Sequence, residues 1–298
     1  MGSYDLNISE STKVAKPIAS VSSQAEYESL NLGSLLSSAT KKEKILLADN
    51  PTACFKFDGI CLPCTSEVGL EVDMNWGGLE IEGVNTPNWR ERLVCPKCKM
   101  NNRQRLIAGL IKPFLEENIV KIYFMESVTP IYQWAARKVD GKLLTGSEYL
   151  GPDYEGGQIY KGIRHEDVEN LSFANDSLGL IVSNDVFEHV PNPNVALTEC
   201  YRVLNKGGEL LATFPFYIEN ATTSARAKFE NGDLVHLKER QFHGNPVDES
   251  GSLVFTDFGW DILDIARDIG FFSCVLEMYS SVDFGHLGGA QLVFRFIK

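Results

Sequence analysis

The sequence predicts an α/β protein: a doubly wound, mostly parallel sheet with a small cysteine-bearing module ahead of it. Three observations predict this. Between Val120 and Phe216 the chain reads as strand, helix, strand, strand, strand, helix, strand. Three of those strands end on an acid, Glu126, Glu148 and Asp167, spaced 22 and 19 residues apart. That is about one strand plus connection each, and ligands of such sheets sit at the carboxyl ends of strands. Upstream, Cys61-Leu-Pro-Cys64 and Cys95-Pro-Lys-Cys98 form two Cys-x-x-Cys knuckles.

Residues 1–50, rich in Ser, Lys and Glu, are expected to be a mobile or partly helical N-terminal segment, with one short helix near Tyr27 to Leu36. Residues 51–117 hold the cysteine module and a linking helix. Four thiolates from two knuckles suit a closed tetrahedral zinc site with Cys61, Cys64, Cys95 and Cys98 as ligands, hence a structural Zn2+. A disulfide pair or ordinary buried thiols are the alternatives, and the doubled knuckle favours zinc. The insert between the knuckles alternates at Gly69 to Val72 and Leu79 to Glu82, which suggests two short antiparallel strands of one ribbon. Cys54, Cys200 and Cys274 lie in apolar stretches and read as packing residues. Arg103 and Arg105, on the amphipathic run that ends at Leu115, read as helix-packing residues rather than ligand contacts.

Residues 118–298 carry the sheet. Lys121 to Glu126 is the first strand, and Thr129 is placed to cap a helix from Ile131 to Val139, with Pro130 at its first position. The second strand, Lys142 to Gly146, ends in Ser147-Glu148-Tyr149, where an acidic side chain can accept both hydroxyls of a ribose. Tyr149 would then lie along an adenine face. The third strand is expected at Ile159 to Ile163, followed by Asp167, placed to accept a purine's exocyclic amine. The fourth, Leu178 to Ser183, runs into Asn184-Asp185-Val186-Phe187-Glu188-His189-Val190. A helix from Asn194 to Leu204 is expected to stop at Lys206-Gly-Gly208 before the fifth strand, Glu209 to Phe214. Residues 217–256 are too long for a bare connection and read as a lid carrying a basic cluster, with His236 and His243 as candidate substrate ligands, general bases or plain loop histidines. Asp257 to Ile269 reads as a helix, and Ala290 to Ile297 as the last strand, after a loop whose His286 faces the pocket.

Asn170-Leu-Ser-Phe173, Val182 to Val190, Arg202-Val-Leu-Asn-Lys-Gly-Gly208 and Phe214-Pro-Phe216 resemble the corresponding run of class I S-adenosylmethionine-dependent methyltransferases of the small-molecule type. The resemblance implies a Rossmann-like sheet of order 3-2-1-4-5-7-6 with its last strand antiparallel. It implies S-adenosyl-L-methionine as cofactor, held by Glu126, Ser127, Thr129, Glu148, Tyr149, Asp167, Val168, Asn184 and Asp185. Asp185, His189 and His243 are the candidate catalytic residues, whereas Glu188 is read as holding its loop. Two departures stand out. The first loop, Glu126-Ser-Val-Thr-Pro130, lacks the family's glycines, and Gly179 stands where the family usually has Asp.

The net charge of −12 and pI near 5.0 argue against nucleic acid and anionic membranes as partners. No apolar run reaches membrane-spanning length and residues 1–22 hold no apolar signal core, so a soluble cytoplasmic protein of biosynthesis is expected, its oligomeric state open. Three functions follow. One is methyl transfer to a small polar metabolite, a sugar or natural-product intermediate. Another uses the same cofactor to cyclise or cleave its aminobutyrate arm. The third is a non-catalytic binding protein with a degenerate loop.

Overall fold

The computed structural model describes residues 15–245 and 247–298, so residues 1–14 of the expected mobile segment lie outside the described residues. The chain divides into two compact units. A cysteine unit takes in residues 37–112 and 279–291 together with 15–17, and a sheet unit takes in 18–36, 113–278 and 292–298. Residues 15–50 are more ordered than a tail: they form a strand, Ala19–Val21, and helices Gln24–Glu28, Leu32–Leu35 and Ser37–Asp49. Side-chain caps explain the two short helices, because Ser23 accepts from the Glu26 amide and Asn31 from the Ser34 amide.

In the cysteine unit, Phe55–Cys61 pairs antiparallel with Ser66–Val72, and the first knuckle is the turn between them. The segment around Gly69 therefore pairs backwards with Phe55–Cys61, not forwards with Leu79–Ile81 as the alternation suggested. Leu79–Ile81 pairs instead with Val84–Thr86. Phe57, Leu70, Val72, Trp89 and Leu93 form a small apolar core that includes Cys61 and Cys95 themselves. Cys54, expected to be packed, is exposed.

The sheet unit is organised by seven strands in the order Ala19–Val21, Ser273–Ser281, His286–Ile297, Leu204–Thr213, Leu178–Asn184, Ile122–Phe124, Leu144–Gly146. Leu178–Asn184, buried at every position, runs parallel to both neighbours, whereas His286–Ile297 runs antiparallel to Leu204–Thr213. An unbroken apolar run is what a strand covered on both faces requires. The expected order needs two corrections. The third strand does not join the sheet: Ile159–Tyr160 and Ile163–Arg164 fold onto each other as a hairpin, leaving one parallel bridge between Glu148 and His165. In addition, Ala19–Val21 adds an antiparallel edge against Ser273–Ser281.

Smaller corrections have local causes. The helix expected to Val139 is Pro130–Ala135. Pro193–Val203 passes directly into strand at Leu204, and Gly207, at φ +80, sits where the pairing with Leu178–Asn184 shifts register. Lys206-Gly-Gly208 is thus a strand irregularity rather than a helix stop. The last helix begins at Ile262, because Asp261 turns to accept from the Thr223 amide and hydroxyl. Gly179 has a steric cause: a Cβ there would stand 2.5 Å from that of Val120. Among the described residues no helix is long and apolar enough to cross a membrane.

Candidate functional site

At the carboxyl end of Ile122–Phe124, Glu126 is buried and accepts a hydrogen bond from the Asn184 side-chain amide at the end of Leu178–Asn184. Two neighbouring strands thereby present one polar pair. Glu148, past the end of Leu144–Gly146, reaches back to the first loop, its Oε1 accepting from the Ser127 amide (2.6 Å), the Val128 amide (3.1 Å) and the Ser127 hydroxyl (3.2 Å). Burial raises the Glu148 carboxyl above its ordinary range, even though those three donors act in the opposite direction. The loop lacks glycine, yet two of its amides converge on one carboxylate oxygen. Gly146 allows the close approach behind it, since a Cβ there would meet the Tyr132 ring at 2.4 Å and the Glu126 carbonyl at 2.7 Å.

Thr129 occupies the N-cap of Pro130–Ala135 without making a side-chain cap bond, and its hydroxyl is buried with no partner. The Asn184 side-chain oxygen is likewise buried and unpartnered. Buried polar atoms are normally hydrogen-bonded, so two orphans at the strand ends fit a site completed by a polar ligand. Tyr149 is exposed, with its ring 5.4 Å from that of buried His165, which accepts from the Leu150 amide. Asp167 accepts from the Glu169 amide, and half-buried Val168 packs on the core. Asp185 adopts the left-handed conformation (φ +54) uncommon outside glycine, and accepts from the Thr213 hydroxyl at 3.2 Å.

Beyond Asp185 the chain makes a 3-10 turn, Phe187–His189. Glu188 is fully buried and neither carboxylate oxygen has a hydrogen-bond partner, so its side chain does not hold the loop as the sequence suggested. His189 Nε2 lies 3.6 Å from Glu188 Oε1, and His243 Nδ1 lies 3.5 Å from the same oxygen. His243 comes from the hairpin Phe242–Asn245 with Asp248–Leu253, which brings it beside His189, the rings 5.0 Å apart and perpendicular.

The expected lid, residues 217–256, is a set of small hairpins rather than a loop. Its basic cluster is partly neutralised by the residue that follows it, because Arg226 and Lys238 both pair with buried Asp257, at 3.0 and 2.8 Å. His236 pairs across one hairpin with Ala227.

Some motif residues turn out to hold the frame. Arg202 donates to Glu199 and to the carbonyls of Leu171 and Phe173, pinning the Asn170-Leu-Ser-Phe173 turn to the helix Pro193–Val203. Sequence reasoning missed Glu166, which is buried and accepts from Arg164 and from the Ser172 amide and hydroxyl. An acid next to the strand-end candidate Asp167 gave no signal of its own.

In the cysteine unit, Cys61 and Cys98 place their sulfurs 3.7 Å apart, and Cys64 and Cys95 3.8 Å. All four sulfurs lie within 4.8 Å of one another. A tetrahedron with metal–sulfur bonds of about 2.3 Å has edges of about 3.8 Å, so the donor set fits zinc. The hydrogen bond from the Cys61 thiol holds Cys98 down to about 5, and the same bond pushes Cys61 up. Such sharing is how neighbouring thiols accommodate one negative charge before a cation takes the place of the proton. Arg105 is fully buried nearby and donates to the carbonyls of Leu93, Phe284 and Gly285, a packing role as expected. Arg103 pairs with Glu91 at 3.2 Å. His286 is not in a sheet-end pocket: it is buried in this unit with Nδ1 2.7 Å from Asn102 Oδ1.

Comparison with known proteins bears on the sheet unit. Residues 142–212 match the family model described as a methyltransferase domain. No curated protein matches the chain significantly. Solved structures similar to it include an S-adenosylmethionine-dependent methyltransferase from Mesorhizobium loti, 15% identical, covering 63% of this chain and 97% of that one at a TM-score of 0.39. Another is the Burkholderia thailandensis 1,6-didemethyltoxoflavin-N1-methyltransferase with bound 1,6-didemethyltoxoflavin and S-adenosylhomocysteine: 11% identity, 66% and 78% coverage, TM-score 0.39. A third is a methyltransferase from Aquifex aeolicus at 10% identity, 63% and 85% coverage and a TM-score of 0.32. By the family match, which takes in Glu148, Asp167 and the whole run from Asn184 to His189, the sheet unit carries a methyltransferase domain.

Proposed function

We propose that this chain transfers the methyl group of S-adenosyl-L-methionine to a small polar metabolite, a sugar or natural-product intermediate. One observation carries the reading: the polar side chains Glu126, Glu148, Asn184 and Asp185 gather at the carboxyl ends of adjacent parallel strands, the last three inside the matched stretch. Bound there, the cofactor supplies an already activated methyl electrophile. The protein's task is to align a nucleophile with it and exclude water. Glu148 keeps Oε1 for the loop amides and offers its second oxygen to the ribose hydroxyls. Tyr149 lies along the adenine, Asp167 takes its amino group and Val168 lines the ring. Glu126, Ser127, Thr129 and Asn184 face the methionine part, where the orphaned Thr129 and Asn184 oxygens find partners.

On the acceptor side, Asp185 takes the proton from a hydroxyl nucleophile as the carbon–oxygen bond forms, and His189 and His243 position that acceptor. The acidic net charge supports a small molecule, not a nucleic acid, as acceptor. Cys61, Cys64, Cys95 and Cys98 hold a structural Zn2+, supported by their tetrahedral spacing.

The rebuilt first loop favours one competing reading. Its amides turn to Glu148, so the methionine arm meets side chains where glycine backbones would otherwise stand, and attack on the aminobutyrate arm becomes the alternative chemistry. Calorimetry with S-adenosylmethionine and S-adenosylhomocysteine tests cofactor binding, with micromolar binding of both expected. Absence of binding by either sinks the proposal. Mass spectrometry after incubation with the cofactor alone decides between the readings: it stays intact under the first and is consumed under the second.

A further inference from the structure

We infer that Glu188, His189 and His243 bind a divalent first-row transition-metal ion, a site separate from the four cysteines. The carboxylate of Glu188 is fully buried and neither oxygen accepts a hydrogen bond, a state that proteins avoid unless a cation completes it. Two imidazole nitrogens face it at 3.6 and 3.5 Å. Those separations are too long for hydrogen bonds, yet close to the edge of about 3.4 Å between donors that each lie about 2.1 Å from one tetrahedral ion. All three donor atoms lie within 4.8 Å of one another.

The surroundings of His189 prepare it as a ligand. His189 Nδ1 lies 2.8 Å from the Leu253 carbonyl, which can only accept, so the proton sits on Nδ1 and the Nε2 lone pair faces Glu188. A backbone carbonyl on the far nitrogen is the usual partner of a metal-bound histidine. His243 turns Nδ1 toward Glu188, and its Nε2 lies 3.2 Å from the Gln241 side-chain amide. The Gln241 atom there is its side-chain nitrogen, a donor, so Nε2 accepts and Nδ1 holds a proton toward Glu188; an ion at Nδ1 takes the place of that proton, with the amide turned over so that its oxygen accepts from Nε2. Two imidazoles and a carboxylate suit zinc or iron(II) and leave coordination positions open, in contrast to the closed set of four thiolates. His243 is the most exposed of the three side chains, at 29%, so the site opens on its side. Binding of the ion does not depend on the methyl-transfer reading.

Cobalt(II) titration of the full-length protein, followed by absorption and proton NMR, tests this. The wild type is expected to bind two ions per chain, one with intense thiolate charge-transfer bands and one without. Two paramagnetically shifted, exchangeable imidazole N–H signals should accompany the second ion. Glu188→Gln and His243→Ala should each remove one equivalent and the imidazole signals while leaving the thiolate bands. Cys61→Ser should do the reverse. A wild type that binds only the thiolate ion overturns the inference, as does an unchanged stoichiometry in both variants. The wild-type count decides even if a variant fails to fold.

Discussion

The two units are held together by different means. The sheet unit packs Phe187, Phe214, Phe258 and Phe294 around a strand buried along its whole length, and its apolar interior is extensive. The cysteine unit buries Arg105, Asn102 and His286 beside a small apolar cluster whose members include two of its own thiols. Burial of apolar area dominates in the first, whereas the second has the smaller apolar core, and there the proposed Zn2+ acts as a staple. The difference teaches that two units of one chain can rest on different mixtures of apolar and polar contacts.

The sharpest way to break this comparison is to remove the staple. Cys61→Ser, or prolonged chelation, should unfold the cysteine unit, because apparent zinc-binding energies of about 10–16 kcal/mol exceed what so small a core supplies. Amide exchange should then speed up across Phe55–Cys61 and Ser66–Val72 but not in Leu178–Asn184. If both units lose protection together, or neither does, the separation fails. Next in size, Phe214→Ala should cost the sheet unit about 3–5 kcal/mol in denaturant unfolding and leave metal content unchanged. Glu148→Ala should weaken S-adenosylmethionine binding by about 1.5–3 kcal/mol, or roughly 10- to 150-fold in calorimetry, since it removes charge-assisted bonds and frees the first loop.

The smallest effect concerns pH. Burial, followed by the nearby Arg105 charge, holds His286 well below its ordinary 6.5, so the unfolded chain takes up a proton where the folded one does not. Stability from this group is therefore fully present above pH 6.5 and is lost as pH falls from there toward the folded value, at up to about 1.4 kcal/mol per pH unit. Melting curves of wild type and His286→Gln between pH 7.5 and 5.5 should diverge, with the wild type losing more. Parallel curves would remove His286 from the account.

Much of this was legible in the sequence. Continuous apolar runs located the parallel strands, and the acids Glu126 and Glu148 at their ends marked where polar groups gather, because strand ends are fixed by chain direction alone. The doubled knuckle needed only short spacing to signal its geometry. Ile159–Ile163 misled because an apolar run has no way of announcing whether its partner is a sheet neighbour or itself turned back at Gly162. Lys206-Gly-Gly208 carried the signature of a helix stop, and only pairing with Leu178–Asn184 turned it into an irregular strand. Glu188 was misjudged for a deeper reason: its significance depends on His243, 55 positions away and delivered by a hairpin between residues 242 and 253 that local pattern does not reveal.

The guanidinium of Arg105 closes on carbonyls at positions 284 and 285, 179 and 180 residues downstream. During synthesis the four cysteines, and with them the proposed Zn2+ site, are complete long before those acceptors leave the ribosome. The growing chain therefore carries a buried-to-be cation without two of its oxygen partners until residues 284 and 285 have been made, and truncation just short of them should trap the cysteine unit half-built.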